Sequence, residues 1–471
     1  MKVTQVAVCP SAASQAAGRP ALTPELLAAS GARYSRNNEG LDSILARIDP
    51  NDLEKSVDTI FKMVDYGHQS IADMVPVAIF MDGISIWLAY YLWTLCPLAG
   101  GQESSTRYLR ISREGLIAPD CLGIPDSLVA EWGGLMERCF ASYQYALDAW
   151  EDLARRQPRV MGIPAGLIED ASSAAQKKVA RMRRNFAFDR ARYFLPAAAA
   201  TNVMMIMSAR AWVGLCQYLL SHPLPEPRRL GEMVRAELAL AAPRLTRHAT
   251  ASPAHQRAIA AEFDAAAGLA RTRAPLDPHA VGELAHPAAP FLSVFPAEGT
   301  TPAAVAQDLG FHPHRYAPLG TSLQRMAVRF GWPAVGFAEI RDLNRHRTGT
   351  KFCPLAPVGF YGAMDQATWS GDPSVVATLG RELVAGGAAT AATGRQLRSG
   401  DPAHAYWALL GTQYPFEHLT TADKFLYEAE LRTGLGAHYR YARHLREVLG
   451  LWYERFPATK GLVLEGAAEP E

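Results

Sequence analysis

Apolar positions along the chain fall into two regions of regular spacing, separated by a stretch in which the spacing is lost. Leu22–Ser30 and Leu53–Tyr66 carry apolar residues at three- and four-residue intervals and predict amphipathic helices, with Thr23 and Asp52 near their starts. Val75–Asp82 predicts a strand, and Pro76 places it at a sheet edge or at the strand's first residue. Ile84–Cys96 reads as a buried helix closed by Pro97 and the Gly100-Gly101 pair, after which a loop opens at Gln102. Ser127–Arg155, Ala171–Arg190 and Asn202–Leu220 predict further helices. Proline breaks at 275, 278, 287 and 290 then mark a connector rich in Ala and Pro. The division expected is a domain over 1–250, a connector over 251–302, a second domain over 303–456 and a frayed tail over 457–471.

The two domains echo one another. Gly67-His68-Gln69-Ser70 precedes an apolar strand and a helix; Leu319-Gly320-Thr321-Ser322 precedes Met326–Phe330 and a helix ending near Arg347. Leu195-Pro196 with Thr201 is matched by Tyr414-Pro415 with Thr420. Similar order at separations of roughly 250 and 219 residues predicts a diverged internal duplication.

Composition narrows the function classes. Forty-seven Lys and Arg against forty-six Asp and Glu leave a formal charge of +1, so no overall basic field draws the chain to nucleic acid or anionic lipid. An anion site must be local. Six scattered cysteines form no C-x-x-C pair, and His312-Pro313-His314 lacks a third ligand, so no metal site is expected. The most apolar runs are broken by Asp82 and Gly83 and by Arg210 and Gln217, short of the ~20 residues a bilayer span needs. A soluble, cytoplasmic protein is the expectation. Phosphate-loop, dinucleotide-fold glycine and nucleophile-elbow motifs are all absent.

Two segments concentrate chemistry. Arg345-His346-Arg347-Thr348-Gly349-Thr350-Lys351 has no acid from Leu343 to Met364 to neutralise it. Its guanidiniums suit a phosphate or a pair of carbonyls, although a solvated basic turn after a helix also fits. Gln102-Glu103-Ser104-Ser105-Thr106-Arg107-Tyr108 packs a carboxylate, hydroxyls and an arginine into one segment. That set suits a sugar phosphate, or an internal Glu103–Arg107 pair. His68, Arg192 and Arg432 read individually as ordinary structural residues.

Together, Gly67-His68-x-Ser70, the apolar strand, Gly83-Ile84-Ser85, the helix and Glu103-x-Ser105-x-Arg107-Tyr108 resemble the flavin-dependent thymidylate synthases, the ThyX family. That family joins Arg-His-Arg to a downstream Glu-x-Ser-x-Arg-Tyr. Here the first half has Leu95-Cys96-Pro97 in place of Arg-His-Arg, and the second has Arg345-His346-Arg347 followed by Cys353, Leu355 and Pro357 in place of Glu, Ser and Arg.

The resemblance implies a helix-rich α+β chain of two ThyX-like domains, each a small, mostly antiparallel sheet packed with helices. It implies reductive methylation of dUMP to dTMP, with FAD as carrier and methylenetetrahydrofolate and NADPH as cosubstrates, in a homo-oligomer such as a dimer of two-domain chains. Glu103, Ser105, Arg107, Arg192, Arg345 and Arg432 would bind the nucleotide, Ser105 and Arg345 nearest the chemistry. His68, Ser70, His346 and Arg347 would hold the flavin. Asp342, where the family commonly has Gln, is unfavourable there unless paired, with Arg341 or Arg345 the nearest candidates. Another pyrimidine nucleotide, or a non-catalytic relative, are the alternatives.

Overall fold

The structure, a computed structural model, describes residues 1–35, 40–49, 52–65, 69–279, 289–434 and 436–466. It is helix-rich, 59% helical, with two antiparallel sheets each packed against helices. Two compact units result. One comprises Met1–Ser104, Gly115–Asp126 and Ala199–Ala261, the other Ser105–Glu114, Ser127–Ala198 and Glu262–Glu471. They are not contiguous halves, because residues 105–114 and 127–198 fold with the C-terminal part of the chain. The stretch read as a connector contains a 19-residue helix, Pro253–Arg271, on which Ala266, Ala267 and Ala270 pack with Ala356 and Leu397. Its alanines, the best helix formers, outweigh the prolines clustered beyond it.

In the first unit β1 (Lys2–Val6), β2 (Pro76–Ser85), β3 (Gly100–Glu103) and β4 (Ala200–Ser208) are ordered β1-β2-β4-β3. Pro76 opens β2, where a missing N–H is tolerated although the strand is central. Two expectations give way here. Gly100–Glu103 is a strand on β4 and not a loop, and Asn202–Leu220 is not one helix, since β4 runs to Ser208 and a helix follows from Ala209 to Ser221. The run Val203-Met204-Met205-Ile206-Met207 satisfies either apolar period, and pairing with β2 and β3 decides it. Ser208 marks the switch, its hydroxyl accepting from the Ala211 N–H at 3.2 Å.

The second unit repeats the pattern. β5 (Phe291–Phe295), β6 (Ala327–Gly336), β7 (Thr350–Phe352) and β9 (Thr412–Thr421) are ordered β5-β6-β9-β7, and β8 (Gly359–Phe360) adds to β9. Each sheet has a bulge near the end of its second strand, between Asp82 and Ile84 and between Trp332 and Val335. Register aligns the two sheets: Pro76 lies opposite Ser208 and Ala327 opposite Thr421; Gly100 lies opposite Ile206 and Thr350 opposite Leu419. Leu95-Cys96-Pro97 and Arg345-His346-Arg347 therefore hold corresponding places, as do Glu103 and Cys353. The Thr201–Thr420 echo is out of register, because Ser208 corresponds to Thr421. Pro415 instead sits inside β9, opposite the bulge, where the ladder needs no donor from it. Gly349 just precedes β7 with φ +66°, and a side chain there would meet the Leu419 carbonyl at 2.0 Å.

The first unit is tied together by Ser85, fully buried at the start of the Ile86–Leu95 helix. Its hydroxyl accepts from the Leu88 N–H at 2.9 Å and donates to Glu226 at 2.8 Å, while its own N–H donates to the same carboxylate at 2.7 Å. Ser85→Ala removes a cap and one hydrogen bond to the buried Glu226 carboxylate. The expected loss is about 2–3 kcal/mol in urea unfolding; a loss under about 0.5 kcal/mol would show that the hydroxyl is not a structural tie.

Candidate functional site

The second unit gathers guanidiniums from four segments. Arg107 leaves a turn in which the Ser105 hydroxyl accepts the Arg107 N–H at 3.2 Å and the Ser105 carbonyl accepts from Leu109 at 3.1 Å. Its guanidinium is held as a fork by Asp189, Nε to Oδ1 at 2.7 Å and Nη2 to Oδ2 at 2.9 Å, while Nη1 donates to the Gly436 carbonyl at 3.3 Å. Asp189 lies in the last turn of the Ser173–Ala191 helix. The next turn carries Arg192, 1% exposed.

Arg192 donates to Asp342 at 3.3 Å and lies 3.9 Å from Glu339. Both acids stand on one face of the Phe337–Asn344 helix, one turn apart. Glu339 also accepts from the Tyr193 hydroxyl at 2.6 Å and lies 3.7 Å from Arg440. Burial is the largest influence on its carboxyl and leaves its pKa raised despite the two guanidiniums. Asp342 differs. Burial opposes its charge too, but Arg192, Arg107, Arg432 and Arg341 together hold its pKa below the ordinary value. Three of those four come from outside its own helix, so Asp342 is the point on which the cluster converges.

Arg432, in the last turn of the Ala422–Thr433 helix, donates from Nε to Nε2 of His346 at 2.8 Å, and its guanidinium lies 5.3 Å from the centre of the Tyr441 ring. The Tyr441 hydroxyl lies 3.0 Å from the same Nε2 and 3.4 Å from the Asp342 carbonyl. His346 is thus an acceptor at Nε2 and neutral: burial, aided by the Arg432 charge, pulls its pKa down to about 3. Lys351 caps the turn on the carbonyls of His346 and Thr348. Beneath this layer, Arg440 lies 3.3 Å from the Tyr361 ring centre and Arg190 lies 3.6 Å from that of Phe186.

Of the residues singled out from sequence, Ser105, Arg107, Arg192, Arg345, His346, Arg347 and Arg432 all belong to the second unit. Arg345 is exposed at the end of the Phe337–Asn344 helix, close enough to influence Tyr441, and Arg347 beside it is half-buried. Glu103 lies in β3 of the first unit, opposite Val203, and the expected internal partner of Arg107 is Asp189 in its place. Ser70 is exposed at the start of the short Ser70–Asp73 helix; His68 lies outside the described residues. Asp342 finds its hydrogen-bonded partner in Arg192, not in a neighbour on its own helix. Asp189, Glu339, Tyr193 and Tyr441 were not anticipated; the only sequence signal was the run His438-Tyr439-Arg440-Tyr441, unusually dense in polar aromatics and cations. His312 of the His-Pro-His motif is bonded to Glu430 at 2.7 Å. Among the described residues no helix is long and apolar enough to cross a membrane.

The neutral His346 gives a pH signature. An unfolded histidine takes up a proton near pH 6.5, the folded one only near pH 3. The folded state therefore loses stability as pH falls below about 6.5, at up to about 1.4 kcal/mol per pH unit from this group. The stability difference between wild type and His346→Asn should shrink by that amount per unit in urea melts between pH 6.5 and 4.5. A difference constant over that range would mean that the folded ring accepts the proton.

Residues 21–244 match the profile of a family described as thymidylate synthase complementing protein. A UPF0159 protein of Thermoplasma acidophilum is 26% identical over 223 residues, covering 44% of this chain and 45% of that protein. A UPF0159 protein of Chlamydia pneumoniae is 25% identical over 188 residues, covering 40% of this chain and 34% of its own length. The chain spans less than half the length of these curated relatives. The matched residues include β2, β3 and β4 of the first sheet and, from the second unit, the Arg107 turn and Arg192. On this match and on the segments built above, residues 21–244 are similar to the thymidylate synthase complementing protein family.

Proposed function

We propose that the chain is a flavin-dependent, thymidylate synthase-like enzyme that methylates a pyrimidine ring reductively, built from two copies of one ancestral unit. The observation that carries this reading is the clustering of three arginines from separate segments of the second unit, Arg192 bonded to Asp342, Arg107 forked by Asp189 and Arg432 held by His346. Cations this close together, one of them fully buried, are costly to assemble and are a common mark of a functional site. The shared strand order, bulge position and register of the two sheets support duplication.

In this reading Ser105 and Arg107 hold the substrate from one side and Arg192, Arg345 and Arg432 from the other. Cations beside the ring carbonyls stabilise the negative charge that develops when the ring is activated at C5. His346 acts as a positioning residue: its Nε2 accepts from Arg432 and fixes that guanidinium. Cys96 and Cys353 take no part; burial pushes the Cys96 thiol up to about 12.

The residues of the first unit fit a flavin's polar edge. Gln69 and Ala72, flanking Ser70, line a cavity of about 320 Å³ with Arg210, Gln217 and His248. Gln69, Arg210 and Gln217 would hold the flavin there, and when bound it would supply hydride and one-carbon transfer chemistry, with NADPH and methylenetetrahydrofolate as cosubstrates. Arg347 is the candidate flavin contact of the second unit. A homodimer and a cytoplasmic location belong to the same reading. The presence of Asp342 and Asp189 beside the arginines favours a pyrimidine substrate other than dUMP as the second form of this proposal.

Purified protein should show a flavin absorbance band and transfer labelled carbon from methylenetetrahydrofolate to a pyrimidine acceptor, dependent on NADPH. Arg107→Ala should slow transfer roughly 10- to 100-fold, the scale of one lost charge-assisted hydrogen bond. Colourless protein that stays inactive after reconstitution with FAD would overturn the proposal.

A further inference from the structure

Within the second unit, the stretch read as a connector closes one side of a cavity of about 360 Å³ that shares no lining residue with the arginine cluster. Arg273 and Leu276, just beyond the Pro253–Arg271 helix, form one wall, and Pro357 and Val358, between β7 and β8, form a second. The third is the Pro373–Ser399 helix, which presents Ala391, Gly394 and Arg398. Glycine sets the spacing: a side chain at Gly387 of that helix would meet the Pro278 carbonyl at 2.1 Å. Leu355, two residues before Pro357, stands at φ +50°, a strained backbone for a leucine and a kind of cost that gathers at ligand sites. Among the described residues the lining holds three arginines and no acid. Arg395 is paired with Glu131 at 2.5 Å. The other two have no carboxylate partner: Arg273 gives Nη1 to the Ala356 carbonyl at 3.3 Å, and Arg398 gives Nη2 to the Arg273 carbonyl. Asp277, beside the lining, accepts from the His279 N–H at 2.9 Å. Burial pulls the pKa of Arg273 below its ordinary value, and no acid offsets the shift. A guanidinium partly withdrawn from water without a countercharge is costly unless a ligand supplies one.

We propose that this cavity binds a small amphipathic carboxylate, its apolar body between Leu276, Pro357 and Ala391 and its anion on Arg273 and Arg398. Each of these guanidiniums commits one nitrogen to a backbone carbonyl and keeps further N–H donors in the fork that matches a carboxylate. The volume sets the bulk of the body. A cavity of roughly 150 Å³ takes one benzene ring, so this one takes about two rings, within the range of small-molecule sites. Walls of Ala, Pro, Leu and Val offer such a body no hydrogen bond, which leaves the charged end to decide what is held and in which direction it points. The site is independent of the pyrimidine reading above, since it draws on none of the same side chains.

Calorimetric titration of the full-length chain with 2-naphthoate and with its neutral counterpart 2-naphthamide tests this. Wild type should bind naphthoate at least about tenfold more tightly, the scale of one charge-assisted hydrogen bond. Arg273→Gln and Arg398→Gln should each weaken naphthoate about tenfold or more and change naphthamide by less than about threefold. Gly394→Leu should weaken both compounds: its Cβ would lie 3.5 Å from Pro357 and 3.7 Å from Leu276, ordinary packing distances, and its branches take up ligand space. Arg107→Ala, in the separate cluster, should leave naphthoate affinity within about twofold. The proposal fails if naphthoate does not bind, if the two compounds bind equally, or if naphthoate affinity is unchanged in both Arg273→Gln and Arg398→Gln. Loss of naphthoate binding in Arg107→Ala would place the anion in the cluster and defeat it as well. Near-UV circular dichroism reports whether each variant is folded; should one arginine variant fail to fold, the wild-type comparison, the other arginine variant and Gly394→Leu decide.

Discussion

A guanidinium taken out of water has to be surrounded by acceptors before it is tolerated, and Arg192 sets that requirement for the second unit. Its demand is met in part, Nη2 by Asp342 with Glu339 close by, both on a helix that follows a sheet strand in the C-terminal part of the chain, while Nε is left without a partner. Glu339 then needs the Tyr193 hydroxyl, Asp342 needs Arg107 and Arg432, and Arg432 needs His346. Each link leaves one more polar group in need of a partner. The result is a network in which removing one partner strands another charge, so its members are mutually required.

Much of this was legible in the sequence, for reasons that can be named. Several helices of the first half and β2 follow from apolar spacing, and the turn at Arg107 and the Arg345–Arg347 stretch stand out because their residue types are rare together. What was not legible depends on distance along the chain. Asp189 meets Arg107 across 82 positions and Asp342 meets Arg192 across 150, and no local pattern encodes such pairings. Glu339 looks like an ordinary acid in a helix's first turn until its burial is known. β4 escaped because Val, Ile and Met in an unbroken run fit both periods, and only its neighbours in the sheet choose between them.

The two sheets share one strand order and differ in what they carry. At matching register positions one copy ends its helix with Leu95-Cys96-Pro97 and the other with Arg345-His346-Arg347; one keeps Glu103 and the other has Cys353. Apolar residues at the first position let Cys96 be buried as a small, unreactive thiol. The charged version demands the apparatus of acceptors just described. The cost of burying charge at this position is carried by the second sheet's unit and not by the first's.

The interleaving of the units in sequence has a consequence for biogenesis. Residues 105–114 and 127–198 leave the ribosome long before the segments they fold with, and Arg192 precedes Asp342 by 150 residues. At roughly 5 to 20 residues per second, that guanidinium waits about 8 to 30 s for its carboxylate. Throughout that interval the nascent chain displays a guanidinium without its carboxylate and, on the Val129–Arg156 helix, the face that later packs on the Pro373–Ser399 helix.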